Sequence, residues 1–251
     1  MRDGGGAPMA APRLDILSML AHDLKAPVLA IEQACAMFRD GLLGEVAPEQ
    51  GETVELIAAN AATLERMVAD FLDIVRCVEG AVRLRMEQVD LAAVARTVGR
   101  EMAPLLEASQ VAYEVAVAGS PERIWADGGQ IHRVVTNLVV NALRYSPPGG
   151  RIQVEVEQEG PVARLSLSDE GPGIPEAELE AVFGRFWQGE RSASSGNTGL
   201  GLFLCRAIVD QHGGRIWAEN RPEGGARFRV ELPVDRRARR REAAATGAAA
   251  G

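Results

Sequence analysis

The sequence predicts an α+β protein in which an N-terminal antiparallel helical hairpin, expected to form a four-helix bundle as a dimer, is followed by an α/β sandwich. Three observations support this fold class. Apolar residues recur in steps of three and four between positions 14 and 78, which is the spacing of a helical seam. Short segments after residue 150 alternate apolar and polar residues, as half-buried strands do. The hydrophobic fraction of 47% and the charged fraction of 25% over 251 residues are typical of folded globular chains.

The predicted hairpin consists of two helices that cover residues 14–42 and 54–78. Gly41, Gly44 and Pro48 interrupt the helical pattern between them. The apolar stripe is wider than a two-helix seam, which favours a homodimer, with packing of the hairpin on the rest of the chain as the alternative. The seam comprises Leu14, Leu17, Ala21, Leu24, Val28, Ile31, Cys35, Phe38 and Leu42, then Val54, Ile57, Ala61, Leu64, Val68, Phe71, Val75 and Val78, and the stripe is widened by Leu20, Leu56, Met67 and Ile74.

The chain after Gly80 predicts helices that cover one face of a mixed sheet. Helices are expected over Leu91–Ala108 and Gly129–Tyr145. Strands are expected over Val111–Val117 and, in pairs, around 152–156, 165–167, 216–218 and 228–232. The predicted domains are therefore 13–80 and 81–235, and the flanking segments 1–12 and 236–251 are predicted to be disordered.

Composition argues against several classes of protein. The net charge of -8 disfavours nucleic-acid binding, which needs a positive surface. No apolar run approaches the ~18 residues of a membrane-spanning helix, so we predict no transmembrane segment and a cytoplasmic location. Cys35, Cys77 and Cys205 lie in apolar helical patterns and are expected to be buried thiols. The arginine-rich segment 236–241 is expected to be solvated, with a membrane surface or an acidic partner as the alternative contact.

Two asparagines mark a candidate ligand site. Asn137 and Asn141 are four residues apart on a predicted helix, so both amides project from one face, with Arg144 and Tyr145 one turn later. Amides that face a cleft can bind a metal or a phosphate. Ordinary surface asparagines are the alternative, so the interpretation of this pair as a ligand site depends on the other candidate segments.

A second candidate segment follows a predicted strand. Asp169 is succeeded by Gly171 and Gly173, where the missing side chains let the backbone approach a ligand. A carboxylate can accept a hydrogen bond from the exocyclic amine of adenine, whereas guanine offers an oxygen at that place. A tight turn without a ligand is the alternative.

A third segment is rich in glycine. Gly196, Gly199 and Gly201 precede a predicted helix, whose free amides and positive end favour phosphate. The order of residues is not that of a P-loop, and the glycines do not follow the first strand of a parallel unit, as in a dinucleotide site. The polar stretch before them, QGERSASSGN, is typical of a mobile lid.

Taken in order, the segments NLVVNALRYS (137–146), DEGPGIP (169–175), FGRFWQ (183–188) and GNTGLGL (196–202) resemble the four boxes of the histidine kinase ATPase domain. LAHDLKAP (20–27), around His22, looks like the phosphoacceptor box of the same family. The resemblance extends from about Leu14 to Pro233. It implies binding of ATP and Mg²⁺, a homodimer through residues 14–42 and 54–78, and a response-regulator receiver domain as partner.

The resemblance also implies roles for individual residues. Asn141 would bind magnesium, Asp169 would recognise the adenine amino group, and Phe183 and Phe186 would anchor the lid. The implied nucleotide-binding set is Asn137, Asn141, Arg144, Tyr145, Asp169, Gly171, Gly173, Ile174, Phe186, Thr198, Gly199, Leu200, Gly201 and Leu202.

Position 137 favours a kinase over an ATP hydrolase. Gyrase, mismatch-repair ATPases and a heat-shock chaperone, which share the implied fold, carry a glutamate at this place as general base, and an amide cannot take a proton. His22 is then the expected nucleophile. The resemblance implies that Asp23 holds the imidazole or accepts its proton, and that an aspartate of the response regulator receives the phosphoryl group.

Ala26 departs from the family's pattern. Members that also dephosphorylate their regulator usually carry threonine or asparagine there, so we expect weak or no phosphatase activity. His132 is interpreted as a helix-surface residue, and His212 as a favourable residue at a helix C-terminus. A non-catalytic adaptor and a conformational ATPase remain the alternatives. The signal would arrive through the N-terminal segment, a separate sensor partner, or a part outside this chain.

Overall fold

The structure is a computed structural model that describes residues 11–44, 47–78, 84–119, 123–187, 189 and 199–234, with side chains described except at 11–23, 66, 70 and 73–78. The described residues form two compact units. The first contains the N-terminal part up to residue 78 together with Gly189, Gly199 and Leu200, and the second contains residues 84–187 and 201–234.

The first unit contains two helices, α1 (Ala11–Arg39) and α2 (Pro48–Val78). Helix α1 begins inside the segment predicted to be disordered, whose other residues, 1–10, lie outside the described part. The predicted break is confirmed, because Gly41 and Gly44 adopt φ angles of +71° and +101° and end the first helix. Helix α2 begins six residues before the predicted start, since proline suits the first helical position.

Burial divides the helical seam into two sets of positions. Val28 and Cys35 in α1 are 2% and 5% exposed, and Ala61 and Val68 in α2 are 5% and 7% exposed. The alternate seam residues are exposed, although they are apolar: Leu24, Ile31 and Phe38 in α1, and Ile57, Leu64 and Phe71 in α2. Each set repeats every seven residues, so one seam position per heptad is covered within the hairpin and the other is not.

The second unit contains a five-stranded mixed sheet with helices on one face. In order, its elements are β1 (Glu87–Val89), α3 (Leu91–Glu101), α4 (Ala103–Ala108), β2 (Ala112–Val117), β3 (Ile124–Ala126), α5 (Gly128–Tyr145), β4 (Arg151–Glu159), β5 (Val162–Ser168), α6 (Gly201–Gln211), β6 (Arg215–Asn220) and β7 (Ala226–Pro233). The strand order is β2-β4-β5-β7-β6. Only β2 and β4 run parallel within it.

The core lies between the helices and one face of the sheet. Its fully buried residues include Val98, Leu138, Ile152, Leu167, Leu204, Ile208 and Phe228. On the opposite face many of the alternate strand residues are charged, and Arg164 bonds to Glu157 at 2.9 Å and to Glu231 at 2.6 Å. The hairpin and the two-layer α/β architecture are therefore confirmed.

One predicted detail was wrong, and one pair of strands was missed. The single helix expected over Leu91–Ala108 is two helices that meet at Met102, because Pro104 lacks the N–H needed to continue the ladder. Strands β1 and β3 pair as a separate two-stranded sheet that was not predicted, since three residues are too few to show alternation.

The cysteine prediction holds where the structure describes the side chain. Cys35 and Cys205 are buried thiols, and the side chain of Cys77 lies outside the described residues. Within the described part of the chain, no helix combines the length and apolarity needed to cross a membrane.

Candidate functional site

Helix α5 carries the two predicted asparagines and is fixed at its start by Asp127. The Asp127 carboxylate accepts from the Gln130 N–H at 3.1 Å and from the Arg85 N–H at 2.8 Å, so it caps the helix. The buried face of α5 comprises Ile131, Val134, Val135, Leu138, Val139 and Ala142. This face anchors the helix on the sheet, and the neighbouring face is free for polar residues.

Asn137 and Asn141 lie on α5 one turn apart, as predicted, and both are half-buried. The Asn137 amide donates a long hydrogen bond of 3.4 Å to the carbonyl of Gly201, the first residue of α6. No hydrogen bond joins the Asn141 side chain to the other residues that the structure describes. In the last turn, Arg144 is exposed and Tyr145 is half-buried.

Asp169 follows the end of β5 and is 3% exposed. Its Oδ1 accepts two backbone hydrogen bonds, from Gly171 at 2.9 Å and from Ala226 at 3.1 Å. Burial raises the pKa of this carboxyl, while the two amides and the Arg221 charge oppose the rise. Among the described residues no donor bonds to Oδ2. One carboxylate oxygen is therefore fixed by the protein and the other is open.

Gly171 brings the segment after Asp169 against the end of α5. A Cβ atom at this position would lie 2.8 Å from the carbonyl oxygen of Tyr145, so only glycine permits the approach. Contact with α5 is therefore one physical reason for this glycine, and its contact with a ligand stays a prediction. Gly173, in the same segment, has a φ of +74°.

Two residues that sequence reasoning missed hold this segment, one at each end. Asn220, the last residue of β6, accepts from the Ile174 N–H at 2.8 Å and donates to the Ile174 carbonyl at 2.7 Å. Arg221 donates to the Asp169 carbonyl at 2.8 Å. The Gly-Gly pair at 224–225 indicates a turn, but nothing in the sequence connects that turn with residues 46 positions away.

The glycine-rich segment ends at the start of α6, as predicted. Helix α6 begins at Gly201, and its first four N–H groups have no partner within the helix. Leu202 is half-buried, Leu200 is 4% exposed, and Gly199 has a φ of +65°. Gly196 and Thr198 lie outside the described residues.

The two predicted lid phenylalanines differ. Phe183 is 1% exposed and packs edge-on against Phe228 with ring centroids 6.3 Å apart. Phe186 is 64% exposed and has a φ of +57°, so this ring is not part of the core, and its role in anchoring the lid stays a prediction. Its neighbour Arg185 lies over the Phe203 ring at 4.9 Å. A role for Phe186 in nucleotide binding stays a prediction.

The three histidines lie in different settings. His22 and Asp23 are in α1, and their side chains lie outside the described residues. His132 is half-buried on α5, and its Nε2 lies 2.7 Å from Glu101. His212, expected at a helix C-terminus, follows the last residue of α6, but it is buried rather than a solvated cation.

His212 connects the ends of α6 and α5. Its Nδ1–H donates to the Ile208 carbonyl at 2.8 Å, and its Nε2 accepts from the Asp127 N–H at 3.0 Å. Burial lowers the pKa of His212 more than the bond to the Ile208 carbonyl and the charge of Asp127 raise it, so the neutral ring is favoured. The expected place of His212 at a helix C-terminus is therefore confirmed, and it acts there as a buried neutral ring that bonds to the Ile208 carbonyl.

Comparisons with known proteins match both units. Residues 13–79 match the family model of the His Kinase A (phospho-acceptor) domain. Residues 126–236 match the model described as histidine kinase-, DNA gyrase B-, and HSP90-like ATPase. The two models cover separate segments, in the order expected from the sequence.

Curated relatives are sensor proteins. SphS of Synechococcus elongatus is 36% identical over 239 positions, which cover 90% of this chain and 56% of that protein. KdpD of Escherichia coli is 33% identical over 231 positions, which cover 90% of this chain and 25% of that protein. The chain thus spans about half the length of the first relative and a quarter of the second.

Solved structures are similar in fold. The catalytic domain of histidine kinase ThkA aligns with a TM-score of 0.55 at 31% identity, covering 60% of this chain and 99% of that one. ThkA in complex with the response regulator protein TrrA aligns with a TM-score of 0.62 at 27% identity, covering 89% of this chain and 64% of that one.

Proposed function

The chain belongs to the histidine kinase family, and we propose that it uses ATP to phosphorylate its own His22 and then passes the phosphoryl group to an aspartate of a response regulator. The substrate, the site residues and the partner are parts of this proposal. Each is supported by the chemistry of residues described above.

Adenine recognition is assigned to Asp169. Two backbone amides hold Oδ1, and the open Oδ2 can accept from an exocyclic amine. Hydrogen bonds to a charged group contribute about 1.5–3 kcal/mol, and an unpaired buried acceptor is costly. Guanine would present an oxygen to this carboxylate, so the site favours ATP over GTP. The neighbouring Gly171, Gly173 and Ile174 form the edge of the same pocket in this proposal.

Magnesium is assigned to Asn141, whose half-buried amide has no bond to other described residues and therefore offers a free oxygen. Within the described residues no group of three His, Cys, Asp or Glu side chains could hold a metal. This fits Mg²⁺, which binds through few protein ligands together with phosphate oxygens and water. The ion would neutralise charge on the phosphates. The N–H groups at the start of α6 and the adjoining residues Thr198, Gly199 and Leu200 would bind the same phosphates.

The observation that supports a kinase over a hydrolase is Asn137. It lies one turn before Asn141 and bonds to Gly201 at the start of α6, beside the proposed phosphate position. A general base there would activate water, and an amide cannot accept the proton. Transfer to a protein nucleophile is therefore favoured over transfer to water.

His22 is the proposed nucleophile. One imidazole nitrogen forms a bond to the γ-phosphorus, the bond between that phosphorus and the bridging oxygen of ADP breaks, and ADP leaves. The proton on the other ring nitrogen passes to the carboxylate of Asp23, which follows in the sequence. Neutral imidazole is the major form above about pH 6.5.

The proposed acceptor of the phosphoryl group is an aspartate on a response-regulator receiver domain. The relative ThkA is described in complex with a response regulator protein, which supports this class of partner. Ala26 lies four residues after His22 and cannot orient a water by hydrogen bonding. We therefore include weak or no phosphatase activity toward the regulator in the proposal.

A homodimer is part of the proposal because half of the helical seam is uncovered. Leu24, Ile31 and Leu64 are 49%, 42% and 42% exposed at positions where a four-helix bundle places its core. A second copy of the hairpin would bury them.

The test is incubation of the full chain with radiolabelled ATP and magnesium. We expect protein-bound label that is acid-labile and base-stable, and no label in His22→Gln. Phosphoryl transfer is then measured by adding candidate receiver domains.

Two other outcomes would contradict the proposal. Absence of label under all conditions would indicate a non-catalytic adaptor. Steady release of inorganic phosphate without label on the chain would indicate a conformational ATPase.

A further inference from the structure

The turn between β6 and β7 lies along the segment that contains Asp169. We call residues 220–226 the hairpin turn and residues 169–174 the base segment. The hairpin turn touches both ends of the base segment, through Asn220 at Ile174 and through Arg221 and Ala226 at Asp169. Neither Asn220 nor Arg221 belongs to the boxes from which the nucleotide site was predicted.

Asn220 binds the far end of the base segment. Its amide accepts from the Ile174 N–H at 2.8 Å and donates to the Ile174 carbonyl at 2.7 Å. The side chain thus pairs with Ile174 as a neighbouring strand would. Of the twenty side chains, only an amide of this length offers both a donor and an acceptor in this geometry.

Contacts to the backbone of Asp169 bind the near end of the base segment. The Asp169 N–H donates to the Ala226 carbonyl at 3.0 Å, and the Arg221 guanidinium donates to the Asp169 carbonyl at 2.8 Å. Gly225 has a φ of +87°, and a Cβ atom there would lie 2.0 Å from the Asp169 carbonyl oxygen. Any other residue at this position would therefore push the turn away from the base segment.

We propose that Asn220 is a positioning residue for base recognition, which holds the base segment in the conformation that directs the open oxygen of Asp169 at the nucleotide base. The inference rests on the proposed function, since it assigns Asn220 to the same ATP site. Asp169 is fixed by its own bonds at one end of the segment, and Asn220 fixes the other end. Loss of Asn220 would let the segment shift and weaken the discrimination between adenine and guanine.

The experiment compares Asn220→Asp with the wild-type chain. The carboxylate still accepts from the Ile174 N–H, but its second oxygen faces the Ile174 carbonyl, and two acceptors cannot bond to each other. The pairing of Asn220 with Ile174 is therefore broken by a change of one atom. Because the site is exposed to solvent and two ordinary hydrogen bonds are affected, we expect the KM for ATP to rise about five- to tenfold. The ratio of ATP to GTP efficiency should fall by a similar factor, with kcat unchanged.

Gln158→Glu is the matched control. Its amide likewise donates to a backbone carbonyl, that of Gly160 at 3.0 Å, and its neighbour across the sheet is Ala163 near the start of β5, whereas Asp169 follows the end of that strand. It should leave the KM and the nucleotide preference as in the wild type. If Asn220→Asp does not fold, as judged by circular dichroism, Asn220→Ser provides the test, because a hydroxyl can keep one of the two bonds.

The measurement is the initial rate of His22 labelling as a function of ATP and of GTP concentration. A wild-type KM and nucleotide preference in a folded Asn220 variant would overturn the inference while leaving the kinase proposal intact. Equal losses for ATP and GTP would also overturn it, because they indicate a general structural role. A wild-type chain that neither binds ATP nor becomes labelled would overturn both proposals.

Discussion

The two units differ in whether the residues of a single chain are enough to form them. In the hairpin, Val28 and Val68 are buried but the alternate seam residues Ile31 and Leu64 are exposed. In the sheet unit, Asp169 is buried and receives bonds from residues in two separate segments. The proposed nucleotide site thus takes its contacts from a single chain, whereas the hairpin has an apolar face that only another surface can cover.

Their side-chain hydrogen bonds show the same difference. In the hairpin, Thr53, Asn60 and Thr63 each bond to a carbonyl four residues earlier, which adds little beyond the helix itself. In the sheet unit, Asn220 reaches residue 174 and His212 reaches residue 127. A hydrogen bond within one helix does not determine what that helix packs against. A hydrogen bond between distant residues fixes how two elements are arranged. This difference can be tested unit by unit.

The largest expected effect concerns the exposed half of the seam. Ile31→Asp would bring a charge from each chain into the dimer interface, at a cost of about 2 kcal/mol or more per group. The dimer Kd should therefore rise by about a thousandfold, as measured by analytical ultracentrifugation. The control is Leu29→Asp, because Leu29 lies on the same helix and is 53% exposed but is off the seam. Equal effects of the two substitutions would contradict the assignment of this seam to the dimer.

The next effect concerns the metal ligand in the sheet unit. Asn141→Ala removes the proposed magnesium ligand, and magnesium-dependent ATP binding should weaken by roughly a hundredfold. Asn60→Ala is the matched control, since it deletes an exposed asparagine whose amide bonds only locally, to Leu56. Calorimetric titration with ATP, with and without magnesium, measures the change. The dimer should persist in both variants, and unchanged affinity in Asn141→Ala would remove this residue from the site.

A smaller effect is expected from Asp169→Asn. The amide oxygen can still accept the two backbone bonds that Oδ1 receives, so the fold should be retained. At the Oδ2 position an NH₂ group would then face the adenine amine, and ATP affinity should fall by about thirtyfold. Inosine triphosphate, which offers an oxygen at that place, should bind the variant better than the wild type. Competition binding measures both affinities, and an unchanged preference for ATP would show that Asp169 does not contact the base.

The smallest effect concerns pH and the contact between α6 and α5. The folded-state pKa of His212 is lowered, so the unfolded chain binds the proton more readily between the two pKa values. The stability that neutral His212 provides is present above about pH 6.5, its unfolded pKa, and is lost as pH falls below that value.

We expect the free energy of unfolding by urea to decrease between pH 7 and pH 5 because of this residue. His212→Gln should reduce the slope. Asp169, with its raised pKa, contributes with the opposite sign at lower pH, and it is present in both the wild type and the variant. Equal slopes in the wild type and in His212→Gln would contradict the role of His212.

Much of the fold could be predicted from the sequence because its signals are local. The seven-residue repeat indicated the hairpin, and alternation in residues 152–156 and 228–232 indicated strands of the sheet. Features that depend on distant residues were missed. The pairing of Glu87–Val89 with Ile124–Ala126 is too short to leave a periodic signal, and the burial of His212 depends on where Asp127 lies.

The candidate site was predicted to a similar extent. Asn137, Asn141 and Asp169 could be found because they lie in short segments of distinctive spacing. Asn220 could not, since its partner Ile174 is 46 residues away and an asparagine before a turn has an ordinary local explanation. The exposure of Phe186 was also missed. The residue has a positive φ, and the sequence gives no signal for a positive φ in a residue other than glycine.

The central claim is that the proposed nucleotide site directs phosphoryl transfer to His22. The most direct test is peptide mapping by mass spectrometry, under neutral to alkaline conditions, of the full chain after incubation with ATP and magnesium. The account predicts a phosphoryl group on the peptide that contains His22, and none on that peptide in the Asn141→Ala variant. Phosphorylation at His132, His212 or a hydroxyl side chain, with His22 unmodified, would contradict it.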